Sequence, residues 1–185
     1  MSDRKITIFV DEQPLSTTGG EMLIKVIDEA GLGARVPRFC YHPKLSIAGN
    51  CRMCMVEVDG INKPMPACQT PVSDGMKVST GSELAVKARQ SVMEFLLINH
   101  PLDCPICDQG GECELQDVAL KSGGCESRYQ EPKRAVADPD LGPLVATNLT
   151  RCIHCMRCVR FLEEIAGKRE LGAHGRGEHA VIGTA

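Results

Sequence analysis

The chain is poor in aromatic side chains: it has no tryptophan, two tyrosines and four phenylalanines among 185 residues. Aromatic residues normally supply much of the buried area of a core, so bonds of another kind must stabilise part of this fold. Eleven cysteines, far above ordinary usage, indicate that disulfides or metals have that role.

Several other features are missing as well. The N-terminal stretch MSDRKITIFV has no charged segment followed by an apolar one, so we expect no secretory signal, which disfavours disulfides. No apolar run reaches the roughly 18 residues of a transmembrane helix. A net charge of −3 without basic runs argues against binding to nucleic acid. In such a chain an odd number of cysteines favours thiolate metal ligands.

The cysteines fall into three groups, and we predict one small module for each. The modules are residues 1–80, residues 81–121 and residues 149–185, the last being the truncated start of a domain. A segment rich in glycine, proline and charge, residues 122–148, reads as a connector.

Residues 1–80 have the pattern of an α+β unit. KITIFV alternates in the manner of a strand, and Thr18 with Glu21 matches a capping box that opens a helix to Ala30. CMVEV and MKVST predict further strands, with a turn at Asp59-Gly60 into INKPM. These elements suit a small sheet crossed by one helix.

The clearest helix spans 82–99. Ser82 is its expected cap. Its expected apolar face consists of Ala85, Ala88, Val92, Phe95 and Leu96. Because Pro101 disfavours helical geometry at the preceding residue, the helix delivers His100 to a cysteine loop. A second, short helix is predicted at 159–166, and the glycines of the tail predict a turn.

The first group has the spacing C-x10-C-x2-C-x13-C. It consists of Cys40, Cys51, Cys54 and Cys68. One close pair inside a long loop resembles the plant-type 2Fe–2S pattern with a longer first gap, and Gly49 and Asn50 can offer backbone N–H groups to the sulfides. Structural zinc remains an alternative, although zinc usually takes two close pairs.

The second and third groups are shorter. His100, Cys104, Cys107 and Cys113 form H-x3-C-x2-C-x5-C, which suits a metal cluster but also a three-cysteine zinc site. Cys152, Cys155 and Cys158 reproduce three quarters of the bacterial 4Fe–4S run C-x2-C-x2-C-x3-C-P.

The third group lacks the fourth cysteine of that run. Leu162 stands where this cysteine would be. We expect the fourth ligand beyond residue 185, in preference to the isolated Cys125.

These motifs carry a family resemblance that spans nearly the whole chain. The first loop, the segment DCPICDQGGECELQD and the run TRCIHCMRCVRF, with EIAG, RELG and GRGE after it, resemble the N-terminal iron–sulfur region of the G subunit of NADH-quinone oxidoreductase, respiratory complex I. The resemblance implies a ubiquitin-like (β-grasp) 2Fe–2S ferredoxin domain followed by small cysteine-rich 4Fe–4S ferredoxin-like domains. It also implies that His100 is a ligand.

The implied function is electron transfer within an oxidoreductase, with one 2Fe–2S and two 4Fe–4S clusters. No dinucleotide motif and no acid–base or nucleophile set stands apart from the ligands, so no substrate site is expected on this chain. The implied partners are the flavin- and NADH-binding subunit and other subunits of the peripheral arm. The implied location is the cytoplasmic side of a bacterial inner membrane, or the mitochondrial matrix side, without a direct membrane span.

Two alternatives stay open. One is the diaphorase-type iron–sulfur subunit of an NAD-linked hydrogenase or formate dehydrogenase, against which Leu162 argues. The other is an interaction protein held together by zinc. Among the remaining histidines, none is expected to be a ligand: His42, His154, His174 and His179.

Overall fold

A five-stranded mixed sheet organises the N-terminal part of the chain in a computed structural model that describes residues 4–184. Its strands are β1 (Lys5–Val10), β2 (Gln13–Thr18), β3 (Met55–Val58), β4 (Met65–Pro66) and β5 (Lys77–Ser79). The order across the sheet is β2-β1-β5-β3-β4, with β1 and β5 parallel and the other pairs antiparallel. The predicted module limits at residues 1 and 185 lie outside the described range, and the module boundaries stay predictions.

Strand β1 forms where the sequence alternates. Ile6, Ile8 and Val10 point into the core, while Lys5 is exposed. The chain reverses at Asp11 and Glu12, which both adopt positive φ, and returns as β2. The turn pairs Val10 with Gln13, as expected of a two-residue hairpin loop of the primed type.

The helix α1 (Leu23–Glu29) crosses this sheet and buries Leu23, Ile24, Val26 and Ile27. The predicted capping box is wrong, because Thr18 ends β2 and the helix starts after Met22 without a side-chain cap. Glu21 instead accepts hydrogen bonds from Thr17 and Lys25.

The rest of the sheet follows the predicted strands. β3 and β4 form a hairpin that reverses near Gly60 (φ 78°), and β5 lies centrally between β1 and β3. The first and last strands of the sheet, β1 and β5, are parallel neighbours at its centre, the other strands form hairpins on either side, and one helix crosses the sheet. This is the predicted β-grasp arrangement. The predicted α+β fold class is confirmed.

The long helix α2 (Glu83–Leu97) is confirmed, and the Ser82 hydroxyl accepts from the backbone N–H of Ala85 at 3.2 Å. Its buried positions are Ala85, Arg89 and Met93, whereas Phe95, a member of the expected apolar face, is 74% exposed. Met93 packs in a second apolar cluster with Phe39, Met53 and Leu115, which joins the sheet to the following cysteine loop.

The C-terminal part contains two further helices and a hairpin. They are α3 (Glu114–Ser122), α4 (Arg157–Glu164), β6 (Gly172–His174) and β7 (Val181–Gly183). Helix α4 was expected two residues later, whereas α3 and the hairpin were not predicted. Residues 123–148 contain no helix or strand, yet they return to α2: Arg128 binds Glu94, and Lys133 donates to the carbonyls of Leu97 and Ile98.

Candidate metal centres

The first cysteine group converges beside α1 and the sheet. Cys40, Cys54 and Cys68 are buried and Cys51 is half-buried, and the backbone N–H of Cys40 donates to the Cys51 sulfur at 3.4 Å. Hydrogen bonds between the thiols join Cys40 to Cys51 and to Cys68, and Cys54 to Cys68. Four residues spread over 29 positions of sequence therefore meet at one place.

The thiols of this group strongly perturb one another. Hydrogen bonds from Cys51 and Cys68, and then the backbone N–H groups of Cys51 and Asn50, hold the pKa of Cys40 well below its usual value. The hydrogen bond to Cys40 raises the pKa of Cys51 in turn. The loop thus directs the backbone N–H groups of Cys51 and Asn50 at the Cys40 sulfur, which stabilises negative charge there.

The backbone of this loop has little room. Gly49 has φ +64° and lies against the Gln69 side chain, so a Cβ at this position would overlap the amide group. Arg52, between the paired cysteines, also has a positive φ of 56°. The tight left-handed turns on both sides of Cys51 bring the sulfurs of Cys51 and Cys54 round to Cys40 and Cys68.

The second group surrounds a small cavity of about 120 Å³. His100, Cys104, Cys107 and Cys113 all line it. His100 follows the end of α2, Cys104 lies in a 3-10 turn, and Cys113 immediately precedes α3. The four predicted residues are therefore together.

The surroundings of His100 favour its neutral form, which is the form that binds metals. Burial lowers its pKa, and the nearby charges of Lys133 and Arg151 act in the same direction. A neutral imidazole at neutral pH keeps one ring nitrogen free to act as a ligand. The end of the helix thus places an imidazole that can act as an uncharged ligand beside three thiols.

Three successive turns position the third group. Cys152 follows a 3-10 turn at Leu149–Arg151, and His154 and Met156 adopt left-handed φ values of 52° and 63°. Cys158 then stands in the first turn of α4. Cys152 and Cys158 border one apolar cavity of about 910 Å³, to which Leu162 also contributes, whereas Cys155 packs on the second apolar cluster.

Burial raises the pKa of the Cys152 thiol, the backbone N–H of His154 opposes this effect, and the charges of Cys155 and Cys158 add to it. The three sulfurs are thus close enough to influence one another. Cys125 is exposed in the irregular segment. Its role and the source of the fourth ligand stay predictions.

The three sites lie around a common cavity of about 760 Å³. Cys51 of the first group, His100 of the second and Cys152 of the third all line it. Apolar side chains such as Val92, Leu96 and Ile153 form much of its wall.

Polar contacts also join the cluster loops directly. Asn50 donates to the carbonyl of His154 at 2.9 Å, and Arg157 donates to the carbonyl of Tyr41 at 2.8 Å and to Glu114 at 3.0 Å. Sequence reasoning missed Arg157 and its neighbour Arg160. The sequence did contain a signal for them, because Arg157 and Arg160 stand on either side of Cys158 in a motif that has no acidic residue.

The side chains fit iron–sulfur clusters. The proposed donors are one imidazole and every cysteine except Cys125, and soft thiolates select such clusters or zinc over hard cations. Buried N–H groups of Arg89, Arg157 and Arg160 lack a partner among residues 4–184, so donors for an anionic group are present close to the loops. Within the same residues, no three His, Cys, Asp or Glu side chains are arranged to hold a single metal ion.

The other histidines bind the backbone. His154 and His174 each lie 3.0 Å from a carbonyl oxygen, of Ala180 and Gly183 respectively, and His42 accepts from the N–H of Lys44 at 3.2 Å. A separate finding concerns the helices: between residues 4 and 184 none is both long and apolar enough to cross a membrane.

Fold and donor chemistry together define an iron–sulfur protein with a 2Fe–2S ferredoxin domain followed by 4Fe–4S regions. Three family descriptions match the chain in succession. Residues 3–83 match a 2Fe–2S iron–sulfur cluster binding domain, residues 89–128 the iron–sulfur binding region of NADH-ubiquinone oxidoreductase-G, and residues 142–185 the ferredoxin-like domain of NADH-quinone oxidoreductase subunit 3.

Curated relatives agree. The chain is 54% identical over 179 residues to the mitochondrial NADH dehydrogenase [ubiquinone] iron–sulfur protein 1 of Solanum tuberosum, covering 97% of this chain and 24% of that protein. It is 51% identical over 177 residues to the G subunit of the NADH-quinone oxidoreductase of Rickettsia typhi, covering 96% of this chain and 26% of that protein. Over these regions the chain is similar to NADH-quinone oxidoreductase G subunits and their 75–78 kDa counterparts, which confirms the resemblance. It spans about a quarter of the length of these relatives.

A solved structure of an NAD⁺-reducing [NiFe]-hydrogenase in the H₂-reduced state is also similar. Its TM-score is 0.85 at 28% identity, and the match covers 96% of this chain and 74% of that one. The arrangement of the modules is therefore shared with a second class of NAD-linked oxidoreductase.

Proposed function

We propose that this chain relays electrons as an iron–sulfur subunit of an NADH:quinone oxidoreductase. In the proposed assignment, Cys40, Cys51, Cys54 and Cys68 hold the 2Fe–2S cluster. His100, Cys104, Cys107 and Cys113 hold a 4Fe–4S cluster. Cys152, Cys155 and Cys158 contribute to a second 4Fe–4S cluster, whose fourth ligand we still expect beyond residue 185.

The observation that carries the proposal is the common cavity. When bound, iron–sulfur clusters supply one-electron transfer, whose efficiency depends on short separations. A proposed ligand from each of the three sets borders this one space, which supports the proposal that the three sites are neighbours. Solvent exposure is one of the factors that set cluster potentials, and Cys104 of the second set and Cys158 of the third are exposed.

The chain's own residues set the conditions at each site. Backbone N–H groups point at Cys40 in the first loop, and the imidazole of His100 contributes no negative charge to the second. Such differences in charge and hydrogen bonding are the means by which a protein separates the potentials of similar clusters.

The relatives' names, which print NADH and ubiquinone or quinone, support a proposal about the electron donor and acceptor. We infer that electrons enter from a flavin- and NADH-binding subunit and leave towards a quinone-reducing part of the complex. The proposed location is the face of an energy-converting membrane where NADH is oxidised: the cytoplasmic face in a bacterium or the matrix face in a mitochondrion.

A second candidate is the diaphorase-type iron–sulfur subunit of an NAD-linked hydrogenase, which the fold similarity favours. The higher identity to the NADH dehydrogenase and NADH-quinone oxidoreductase subunits favours the first function. The test is the activity of the complete complex isolated through a tag on this subunit. NADH-dependent quinone reduction supports the first function, whereas hydrogen-dependent NAD⁺ reduction supports the second.

The cluster assignment is tested by electron paramagnetic resonance of anaerobically purified protein. We expect a 2Fe–2S signal that disappears in Cys54→Ser while 4Fe–4S signals remain, and no change in Cys125→Ser. A colourless protein that contains zinc, or loss of all signals together in folded Cys54→Ser protein, contradicts the assignment.

A further inference from the structure

Arg160 of α4 connects two of the cysteine loops from inside the protein. Its side chain donates to the carbonyl oxygens of Cys40, Ser46 and Cys155, the last at 3.3 Å. Cys40 belongs to the first cluster site and Cys155 to the third, 115 positions later in the sequence. One guanidinium therefore links the backbone of both loops.

The charge of Arg160 is buried without a carboxylate partner. The residue is 8% exposed, and no Asp or Glu oxygen between residues 4 and 184 lies within 4.0 Å of its guanidinium. Glu164, one turn along α4, binds Ser46 instead: the Ser46 backbone N–H donates to it at 2.7 Å. Hydrogen bonds from Ser46 lower the pKa of Glu164 and the charge of Arg160 adds to this effect, so Glu164 compensates Arg160 in part. Because the guanidinium has no direct ion pair in the described chain, further negative charge nearby would stabilise it.

The cysteine site that includes Cys40 is a further source of negative charge when its thiols are deprotonated. Arg160 has a buried Nε–H without a partner in the described chain, and its two Nη groups donate to the carbonyls of Ser46, Cys40 and Cys155. Iron–sulfur sites carry net negative charge from their thiolates, and neighbouring cations and hydrogen bonds raise their potentials.

We propose that Arg160 is a positioning residue for the first cluster. It fixes the Cys40 loop from the third module and places a positive charge that raises the potential of that cluster. This inference rests on the proposed assignment of Cys40, Cys51, Cys54 and Cys68 as 2Fe–2S ligands. It makes the potential of the N-terminal cluster depend on a helix residue that lies 120 positions away from Cys40 in the sequence.

Arg89 is a second buried arginine near the first cluster site, and it provides a comparison with Arg160. It is 6% exposed and donates to the carbonyls of Met55 and Arg35, at 2.8 Å and 3.3 Å. It thus holds the strand next to Cys54 and touches neither Cys40 nor the third module in the described contacts. Substitution of Arg89 should leave the link between the first and third loops in place.

The experiment uses the full chain with its clusters, purified anaerobically. The 2Fe–2S midpoint potential is measured by redox titration, and amide hydrogen exchange is followed over residues 40–46. Arg160→Met removes the charge and the tether, whereas Arg160→Lys keeps the charge but cannot reach three carbonyls. Arg169→Met is the matched control, since Arg169 is an exposed arginine of the same module, paired with Glu163.

In Arg160→Met we expect a lower 2Fe–2S midpoint and faster exchange over residues 40–46. In Arg160→Lys we expect the parent midpoint with faster exchange, and in Arg169→Met no change in either quantity. Arg89→Met should lower the midpoint without faster exchange over residues 40–46.

A parent midpoint in Arg160→Met overturns the inference, and so does an equally lowered midpoint in Arg160→Lys. If Arg160→Met assembles no cluster, the Arg160→Lys midpoint decides: the parent value supports the role of the charge and a lower value overturns it. Absence of any 2Fe–2S signal in the parent protein is a different result, since it overturns the proposed cluster assignment itself.

Discussion

The side chain of Arg151 donates two hydrogen bonds to one carboxylate oxygen of Asp103, at 3.1 Å and 3.3 Å. Arg151 immediately precedes Cys152, and Asp103 immediately precedes Cys104, so this pair joins the third cysteine loop to the second. Both side chains are partly shielded from solvent.

We expect a double-mutant cycle with Arg151→Ala and Asp103→Asn to show a favourable coupling between the two side chains in the folded state. Denaturant unfolding of the holo protein measures it. Lys87 and Glu83, an exposed pair on α2, should couple more weakly, by about 0.3 kcal/mol. Equal coupling in the two pairs contradicts a bridging role for Arg151.

The second cysteine loop leaves no room for a side chain at Gly110. A Cβ at this position would overlap the carbonyl oxygen of Cys104 and lie 3.1 Å from that of Cys107, both in backbone that cannot move freely. We expect Gly110→Ala to lose the cluster next to His100, which iron content and electron paramagnetic resonance would measure. Gly81→Ala is the control, because a Cβ there meets no atom within 4 Å. Full cluster occupancy in Gly110→Ala would show that the loop can relax.

His100 allows a test of its role as a ligand. His100→Cys should keep a 4Fe–4S cluster, but the added thiolate charge should lower its midpoint potential. His100→Ala should leave an open iron position and a labile cluster. A redox titration of both variants beside the parent protein provides the measurement. An unchanged midpoint in His100→Cys at full occupancy rules out ligation by His100.

Removal of the clusters should affect the modules unequally. The loop 100–113 contains exposed Cys104 and half-buried Cys107 with few buried side chains around them, so ligand bonds are its main source of order. Helix α2 instead buries Ala85 and Met93. After anaerobic chelation, hydrogen exchange should show 100–113 unprotected while α2 stays partly protected. Equal protection of the two segments argues against nucleation by metal.

The hydrogen bonds of Asp11 predict that the stability of the first module depends on pH. Its carboxylate accepts from the backbone N–H of Thr80 at 2.7 Å and from the Thr80 hydroxyl at 2.6 Å, and it pairs with Arg35 at 3.0 Å. Burial would raise the pKa of Asp11, but these hydrogen bonds lower it from the ordinary value of 3.8. Because the folded-state pKa is lowered, the stabilisation is complete above pH 3.8 and is lost as the pH falls through the lowered pKa.

Asp11→Asn should therefore cost about 1–2 kcal/mol of unfolding free energy at neutral pH, and the difference from the parent should shrink in acid. Thermal unfolding of both proteins at several pH values gives this difference, in which the acid lability of the clusters cancels because both proteins share it. A difference that stays constant from neutral pH to below the ordinary pKa of 3.8 would show that the shape of Asp11 matters and its charge does not.

Local features of the sequence were sufficient to predict β1, β3, β4 and β5 and to group the candidate ligands. Ile6, Ile8 and Val10 alternate because one face of β1 is buried, and alternation is visible in the sequence. The cysteine spacings are also local, because short loops must wrap a compact inorganic core. The predicted cap at Thr18 was wrong, and the exposure of Phe95 was not foreseen, for the opposite reason. A capping box or an apolar stripe shows only that a residue is compatible with a role. Tertiary contacts place Thr18 at the end of β2 and leave Phe95 exposed.

By itself, therefore, the sequence determined the class of the protein: the β-grasp unit, the sets of thiols and the helix that ends shortly before His100. Only the tertiary structure decided how these parts face one another. Arg160 and Cys40 are far apart in the chain, and no periodicity or spacing encodes their contact. Their meeting depends on the packing of α4 against the first loop, because a buried guanidinium must satisfy its N–H groups on whatever carbonyls the folded chain brings to it.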